Sequence, residues 1–145
     1  MAKKIYLYII LGSLILIGSG CDRSLPRKVC VRSACFEVEV ADTPHTRQKG
    51  LMYRTTLEKN HGMLFIFSQS TPTGFWMKNT YIPLDMIWID ESTYIVAVKQ
   101  NALPCTQDPC PVMSPGQPAR YVLEINSGLT AEYGIQIGDK VSFRY

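Results

Sequence analysis

Along much of the chain, hydrophobic and polar positions alternate with the two-residue period of β-strands. In Cys35–Ala41 (CFEVEVA), Phe36, Val38 and Val40 fall on one face and Glu37 and Glu39 on the other, which predicts a half-buried strand. Asp42-Thr43-Pro44 then offers an N-cap and a proline near the first helical position, predicting a short helix that ends near Gly50. Met63–Phe67 (MLFIF) is a continuous apolar run, the pattern of a short strand buried on both faces. Phe75–Thr80 and Leu84–Asp90 are expected as strands joined through Ile82-Pro83. Tyr94–Lys99 and Val122–Ile125 are expected as two more, with a turn at Asp90-Glu91-Ser92-Thr93. Ser127–Tyr133 suggests a helical turn, and Gly138-Asp139 a tight turn into a last strand, Val141–Tyr145. Six to seven short strands and one or two short helices, punctuated by turn residues, predict a mainly β, single compact domain of sandwich or barrel-like form.

The first residues break this pattern. Lys3 and Lys4 precede an uncharged apolar run over 5–17. It is too short to span a bilayer comfortably, which takes about 20 apolar residues, and it suits the hydrophobic part of a secretory signal. Gly18-Ser19-Gly20-Cys21 resembles the lipobox of bacterial lipoproteins, in which the cysteine is acylated and becomes the new N-terminus; Gly18 stands where that pattern prefers Leu. The expected organisation is a signal over 1–20, a short tether over 21–29 and one β-rich domain over 30–145. The domain would be exported and held on the lipid bilayer by an acyl anchor at Cys21, on the periplasmic or cell-surface side. An ordinary cleaved signal or a short anchor helix would export it equally. Without residues 1–20 the net charge falls from +3 to +1 and 125 residues remain, enough for one core. A nearly neutral chain without blocks of like charge has no electrostatic footprint for nucleic acid.

With Cys21 assigned to lipid, Cys30, Cys35, Cys105 and Cys110 form two C-x4-C pairs. An even count in an exported domain points to disulfides, and four cysteines allow three connectivities. Five extended residues span about 16 Å, whereas bridged Cα atoms lie within about 7 Å, so a local pair needs a turn. Thr106-Gln107-Asp108-Pro109, flanked by Pro104 and Pro111, has turn chemistry. A four-residue hairpin loop would oppose Cys30 and Cys35. Local pairing is therefore the expectation. Four thiolates could alternatively bind zinc, but the spacing is wider than the usual C-x2-C knuckle, and no metal is expected. Redox-active pairs are generally C-x-x-C, so thiol catalysis is a weak reading.

Charges interrupt apolar strand faces in several places. Alternation places Trp76, Lys78 and Thr80 together and Asn79 opposite with Phe75 and Met77. Asp85 falls with Ile87 and Ile89, and Glu124 with Val122 and Asn126. Arg54, Lys78, Asp85 and Glu124 must each find a partner or stay solvated in a cleft. They would form either a polar pocket floored by Trp76, with Asn79 nearby, or a network of internal ion pairs. If they are scaffold, function would pass to the loops around Gln69–Gly74 or Ser114–Ala119. His45 and His61 lack ligand-spaced neighbours and are expected at the surface. No G-x-S-x-G elbow, phosphate-cradling loop or H-E-x-x-H is present. Asp85 and Glu124 are the one possible acid/base pair.

Several blocks in order carry a resemblance: Gly50-Leu51-Met52-Tyr53-Arg54, Gly62-Met63-Leu64-Phe65, Phe75-Trp76-Met77-Lys78-Asn79-Thr80 with Ile82-Pro83-Leu84-Asp85, Tyr121-Val122-Leu123-Glu124, and Gly134-Ile135 with Gly138-Asp139. Together with Pro104-Cys105 and Cys110-Pro111, these look like the successive motifs of the bacterial and archaeal family of domain of unknown function 192, over roughly 36–145. The resemblance implies a compact β-sandwich or barrel-like fold, often exported. It supplies no activity and no cofactor, and it leaves Cys30 and Cys35 at or before its start. The expected function is a membrane-tethered binding module for a small molecule or an envelope protein. The alternative is an envelope hydrolase or lyase that uses Asp85 and Glu124, aided by Lys78, on a substrate such as a glycan.

Overall fold

The computed structural model describes residues 25–145; the signal segment and the expected lipid-attachment residue Cys21 lie outside them. Nine strands and two short helices follow in the order β1 (Lys28–Val31), β2 (Ala34–Ala41), α1 (Pro44–Lys49), β3 (His61–Thr71), β4 (Phe75–Trp76), β5 (Leu84–Ile89), β6 (Ile95–Ala102), β7 (Val112–Met113), β8 (Ala119–Asn126), α2 (Leu129–Glu132) and β9 (Val141–Arg144). Seven strands make one sheet in the order β6-β5-β8-β3-β2-β1-β9, and β4 and β7 pair apart from it. Neighbours are antiparallel except β2 and β3, whose parallel pairing is reached through α1 and the loop behind it. The sheet curls into a half-barrel whose edges meet at one end. There Ile95 N–H donates to the Asp139 carbonyl (3.0 Å), and Val141 N–H to that of Thr93 (2.8 Å).

Curling gives the sheet two buried faces. Inside, Phe36, Leu64, Ile87, Ile89, Leu123 and Ile125 meet residues from both edges, such as Val29, Ile95 and Val141. Outside, Phe65, Met86, Trp88 and Val122 pack under Leu51, Met77 and Ile82 from the connecting segments. Strand β5 lies between the two and is buried at all six positions. Full burial of each large side chain contributes about 1.5–3 kcal/mol, so both cores count.

Local chemistry explains the connections. Thr43 caps α1: its hydroxyl accepts from Thr46 N–H (3.1 Å), and the Thr46 hydroxyl accepts from Thr43 N–H (3.0 Å), with Pro44 at the first helical position. The expected helix before Gly50 is therefore present. Cys30 and Cys35 lie opposite each other, but Val31 and Ala34 also pair, so the loop shrinks to Arg32-Ser33, with Arg32 at φ +52°. Both local disulfides form, Cys30–Cys35 and Cys105–Cys110.

One expected strand does not persist. Of Phe75–Thr80 only Phe75–Trp76 is strand; Asn79 takes φ +55° and Thr80 N–H turns back to the Met77 carbonyl (3.1 Å). Alternation stops at Trp76, and Met77 and Thr80 are both buried. Pairing with β1 also begins at Lys28, within the stretch expected as tether.

Candidate functional site

Asp85 and Glu124 lie on neighbouring strands and point to opposite faces of the sheet. In the β5–β8 register Asp85 stands opposite Ile125, and Met86 opposite Glu124. One-residue offsets in a pleated sheet reverse the face. The expected acid/base pair is therefore not assembled, and an enzyme built on both carboxylates loses its geometric basis.

Asp85 faces inward and is fully buried. Its Oδ1 accepts from Asn101 N–H (2.9 Å). Its Oδ2 accepts from Gly128 N–H (3.0 Å), Thr130 N–H (2.9 Å) and the Thr130 hydroxyl (2.6 Å). These donors tie the end of β6 and the start of α2 to β5. The carboxylate is occupied by the scaffold.

Glu124 faces outward and is 4% exposed. Its carboxyl forms no hydrogen bond or ion pair with a described residue, and burial alone pushes it up to about 8. A carboxyl deprived of water without a cation or donor in exchange holds its proton. In its protonated form, which burial favours, it offers one O–H donor and acceptor capacity to spare. It lines a cavity of about 210 Å³ walled by Leu51, Phe65, Phe67, Phe75 and Thr80, with Arg47, Lys49, Trp76 and Lys78 also on its lining. Phe75 organises the aromatic wall, lying edge-on to Phe65 (4.9 Å between centroids), Phe67 (6.2 Å) and Trp88 (6.0 Å).

Two glycines make this arrangement possible. A Cβ on Gly62 would lie 2.6 Å from the Glu124 carbonyl oxygen, so only glycine lets β3 approach β8 there. Gly50, at φ +46°, brings the chain across Phe65 after α1; a Cβ there would approach the Phe65 ring to 3.2 Å.

The remaining candidates divide. Trp76, 44% exposed, and Lys78 join Glu124 on the cavity, with Lys78 Nζ 5.5 Å from the Trp76 ring centroid. Lys78 also pairs with Asp108 (2.7 Å) in the Cys105–Cys110 loop, and Asn79 N–H donates to the Cys105 carbonyl (2.8 Å). The disulfide loop thereby braces the cavity's edge. Asn79 lies beside the cavity, its side-chain amide donating to the Tyr53 hydroxyl (3.1 Å). Arg54 does not join the group: its guanidinium binds Glu39 at the surface (2.6 Å). Asp85 is on the other face. The expected convergence of five residues thus reduces to Trp76, Lys78 and Glu124. His45 is exposed beside Asn79, whereas His61 opens β3, half-buried between Glu37 and Glu58. Arg47, Lys49 and the phenylalanine wall were not singled out by sequence. Their signal was the helix predicted before Gly50, which carries both cations.

The two disulfides fit an oxidising, extracytoplasmic environment. Among the described residues no helix is long and apolar enough to cross a membrane.

Two solved structures are similar to this chain. One is a candidate transcription regulator from Sinorhizobium meliloti, 36% identical, with a TM-score of 0.73 over 80% of this chain and 90% of that one. The other is a protein of unknown function from Novosphingobium aromaticivorans, 37% identical, with a TM-score of 0.74 over 79% of this chain and 83% of that one. No curated protein matches. The family described as uncharacterized ACR, domain of unknown function 192, matches residues 27–143, a span that begins ahead of Phe36 and takes in Cys30 and Cys35. On that match the chain belongs to the family of domain of unknown function 192.

Proposed function

We propose that this protein is an exported lipoprotein, anchored through an acylated Cys21, whose domain binds a small molecule in the cavity over Glu124. The observation that carries the binding reading is the carboxyl itself. Set among apolar side chains and without a hydrogen-bond partner from a described residue, it keeps hydrogen-bonding capacity that a ligand would use. Here it lies at a cavity that a ligand can enter past Trp76 and Lys49, both exposed. Asp85, the other buried acid, shows how this fold satisfies a carboxylate that serves the scaffold. A concave, aromatic-walled site with few polar groups suits a small molecule better than a protein surface. The enzyme reading, without its second carboxylate, is the weaker one. The anchoring reading rests on the charged, apolar and small-residue succession before Cys21 and on the two disulfides.

One experiment addresses both parts. Native mass spectrometry of protein extracted from its own host's envelope should find a chain that begins at Cys21 and carries acyl mass. It should also find a dissociable small-molecule adduct that Glu124→Leu loses. Protein retaining residues 1–20 without acyl mass would refute the anchor, and an adduct unchanged in Glu124→Leu would refute the site.

A further inference from the structure

Charge is segregated around the Glu124 cavity. Its lining carries three cationic side chains, Arg47, Lys49 and Lys78, and one carboxyl, Glu124. Arg47 is fixed in place, donating to the carbonyls of Asp42 and Ile66 (2.9 Å to Ile66) with its guanidinium over the Phe67 ring. Neither Arg47 nor Lys49 forms an ion pair with a described residue, and only Lys78 has one, with Asp108. The single acid is buried, whereas Lys49 and Trp76 are exposed. Inner wall and mouth therefore ask for different chemistry. Against the inner wall, a carboxyl without partners and the Thr80 hydroxyl offer neutral donors and acceptors. At the mouth, an aromatic face and three cations favour negative charge.

Resting on the binding reading above, we infer that the ligand is a small amphipathic anion: an uncharged hydrogen-bonding head against Glu124 and Thr80, a planar apolar body between the phenylalanines and Trp76, and an anionic group left among Arg47, Lys49 and Lys78. A hydroxyl suits the head because it donates to the Glu124 carbonyl oxygen and accepts from its O–H at once. A carboxylate head would be desolvated with only neutral donors in reach and would face the Glu124 carboxyl. An ammonium head would have to pass three cations and then take the Glu124 proton's place. The cavity, smaller than the roughly 300–1,000 Å³ of sites for drug-sized ligands, limits the body to about one ring. Planar bodies gain from edge or face contact with the aromatic wall.

Three compounds that share one head and body and differ only in the charge of the tail provide the test: 4-hydroxyphenylacetate (anionic), 2-(4-hydroxyphenyl)ethanol (neutral) and tyramine (cationic). Isothermal titration calorimetry of the full domain at pH 7 should rank them in that order, each step weakening binding by about tenfold, as one added or lost charge contact near a surface would do. Lys49→Glu combined with Lys78→Gln, which removes the Lys78 charge without setting a carboxylate against Asp108, should leave the melting temperature within a few degrees and erase the preference for the anion. Glu124→Leu should abolish binding of all three, while Glu124→Gln, which keeps a donor and an acceptor, should retain it. Tyramine binding as tightly as 4-hydroxyphenylacetate, or no binding by any of the three at millimolar concentration, would overturn the ligand class. A Glu124-dependent adduct in the native mass spectrum alongside either result would leave the binding reading standing, so the two failures are distinguishable.

Discussion

The two faces of the central sheet treat a buried carboxyl in opposite ways. Asp85, on the inner face, accepts four hydrogen bonds from the backbone and side chain of segments far along the chain. Glu124, one strand over on the outer face, has none from a described residue, and burial pushes it up to about 8. Equal burial thus produces a hydrogen-bonded cross-brace in one place and a group facing a cavity in the other. What separates them is how donors are used. The inner face closes on the start of α2, whose free N–H groups turn to Asp85, whereas on the outer face Arg47 and Lys78 are engaged by Ile66 and Asp108 and none is bonded to Glu124.

The sharpest way to break this comparison is to remove the Asp85 charge. Asp85→Asn keeps the shape but turns an amide NH2 toward donors or leaves them without a charged acceptor. Hydrogen bonds to a charged group are each worth about 1.5–3 kcal/mol, and losing several together should cost about 4 kcal/mol. For a domain of this size that corresponds to a fall in melting temperature of roughly 10–20 °C. Denaturant titration at pH 7 checks it. A loss below about 1 kcal/mol would mean that the four short contacts are not a cross-brace.

Glu124 should respond to pH instead. Its folded-state value of about 8 lies above the ordinary value of 4.5, so the folded protein holds this proton more tightly than the unfolded chain. Its contribution to stability is complete below pH 4.5, declines as pH rises, and is lost once pH passes about 8. The slope approaches about 1.4 kcal/mol per pH unit between those limits, an accumulated loss on the order of 5 kcal/mol. Glu124→Gln cannot ionise, so the difference between wild type and variant isolates the group. The two should be similar in stability near pH 4.5, and the variant should be the more stable at pH 8.5. A constant difference across that range would show that the carboxyl has found a partner in solution.

Much of the fold was legible in the chain. The period-two run marked β2, the Gly138-Asp139 turn marked the start of β9, and the continuous apolar run Met63–Phe67 marked the buried part of β3, with Leu84–Asp90 expected where β5 lies. Thr43-Pro44 and Gly50 bracketed α1. The Phe75–Thr80 run misled because alternation records side-chain type and not backbone direction. Asn79 enters the left-handed region to reach the Cys105 loop, and nothing in FWMKNT requires that turn. β7 and β1, of two and four residues, were too short to register. For the site, sequence isolated the charges that needed an explanation but could not allot them to faces. That depends on the β5–β8 register, and the register is set by contacts between residues about 40 apart. The cations Arg47 and Lys49 looked like an ordinary exposed helix end, since only the approach of α1 to β3 makes them part of a cavity lining.

The smallest expected effect belongs to Arg54, which the sequence placed among the charges in apolar surroundings. Its guanidinium reaches both oxygens of Glu39 (2.7 and 2.6 Å), yet the two side chains are 42% and 53% exposed. Water and salt screen such a pair, and fixing two long side chains costs entropy that offsets the attraction, so exposed pairs contribute about 0–1 kcal/mol. Arg54→Met should therefore lower stability by no more than about 1 kcal/mol and leave retention of the Glu124 adduct unchanged. Raising salt should shrink even that difference. This variant sharpens the contrast between the faces because Arg54 and Glu39 form an ion pair that sits outside the cavity, unlike Lys78 and Asp108 at its edge. If Arg54→Met instead cost several kcal/mol, or emptied the cavity, the surface pair would be coupled to Glu124. The outer face would then hold a charge network of its own, and the absence of partners around Glu124 would no longer set the two faces apart.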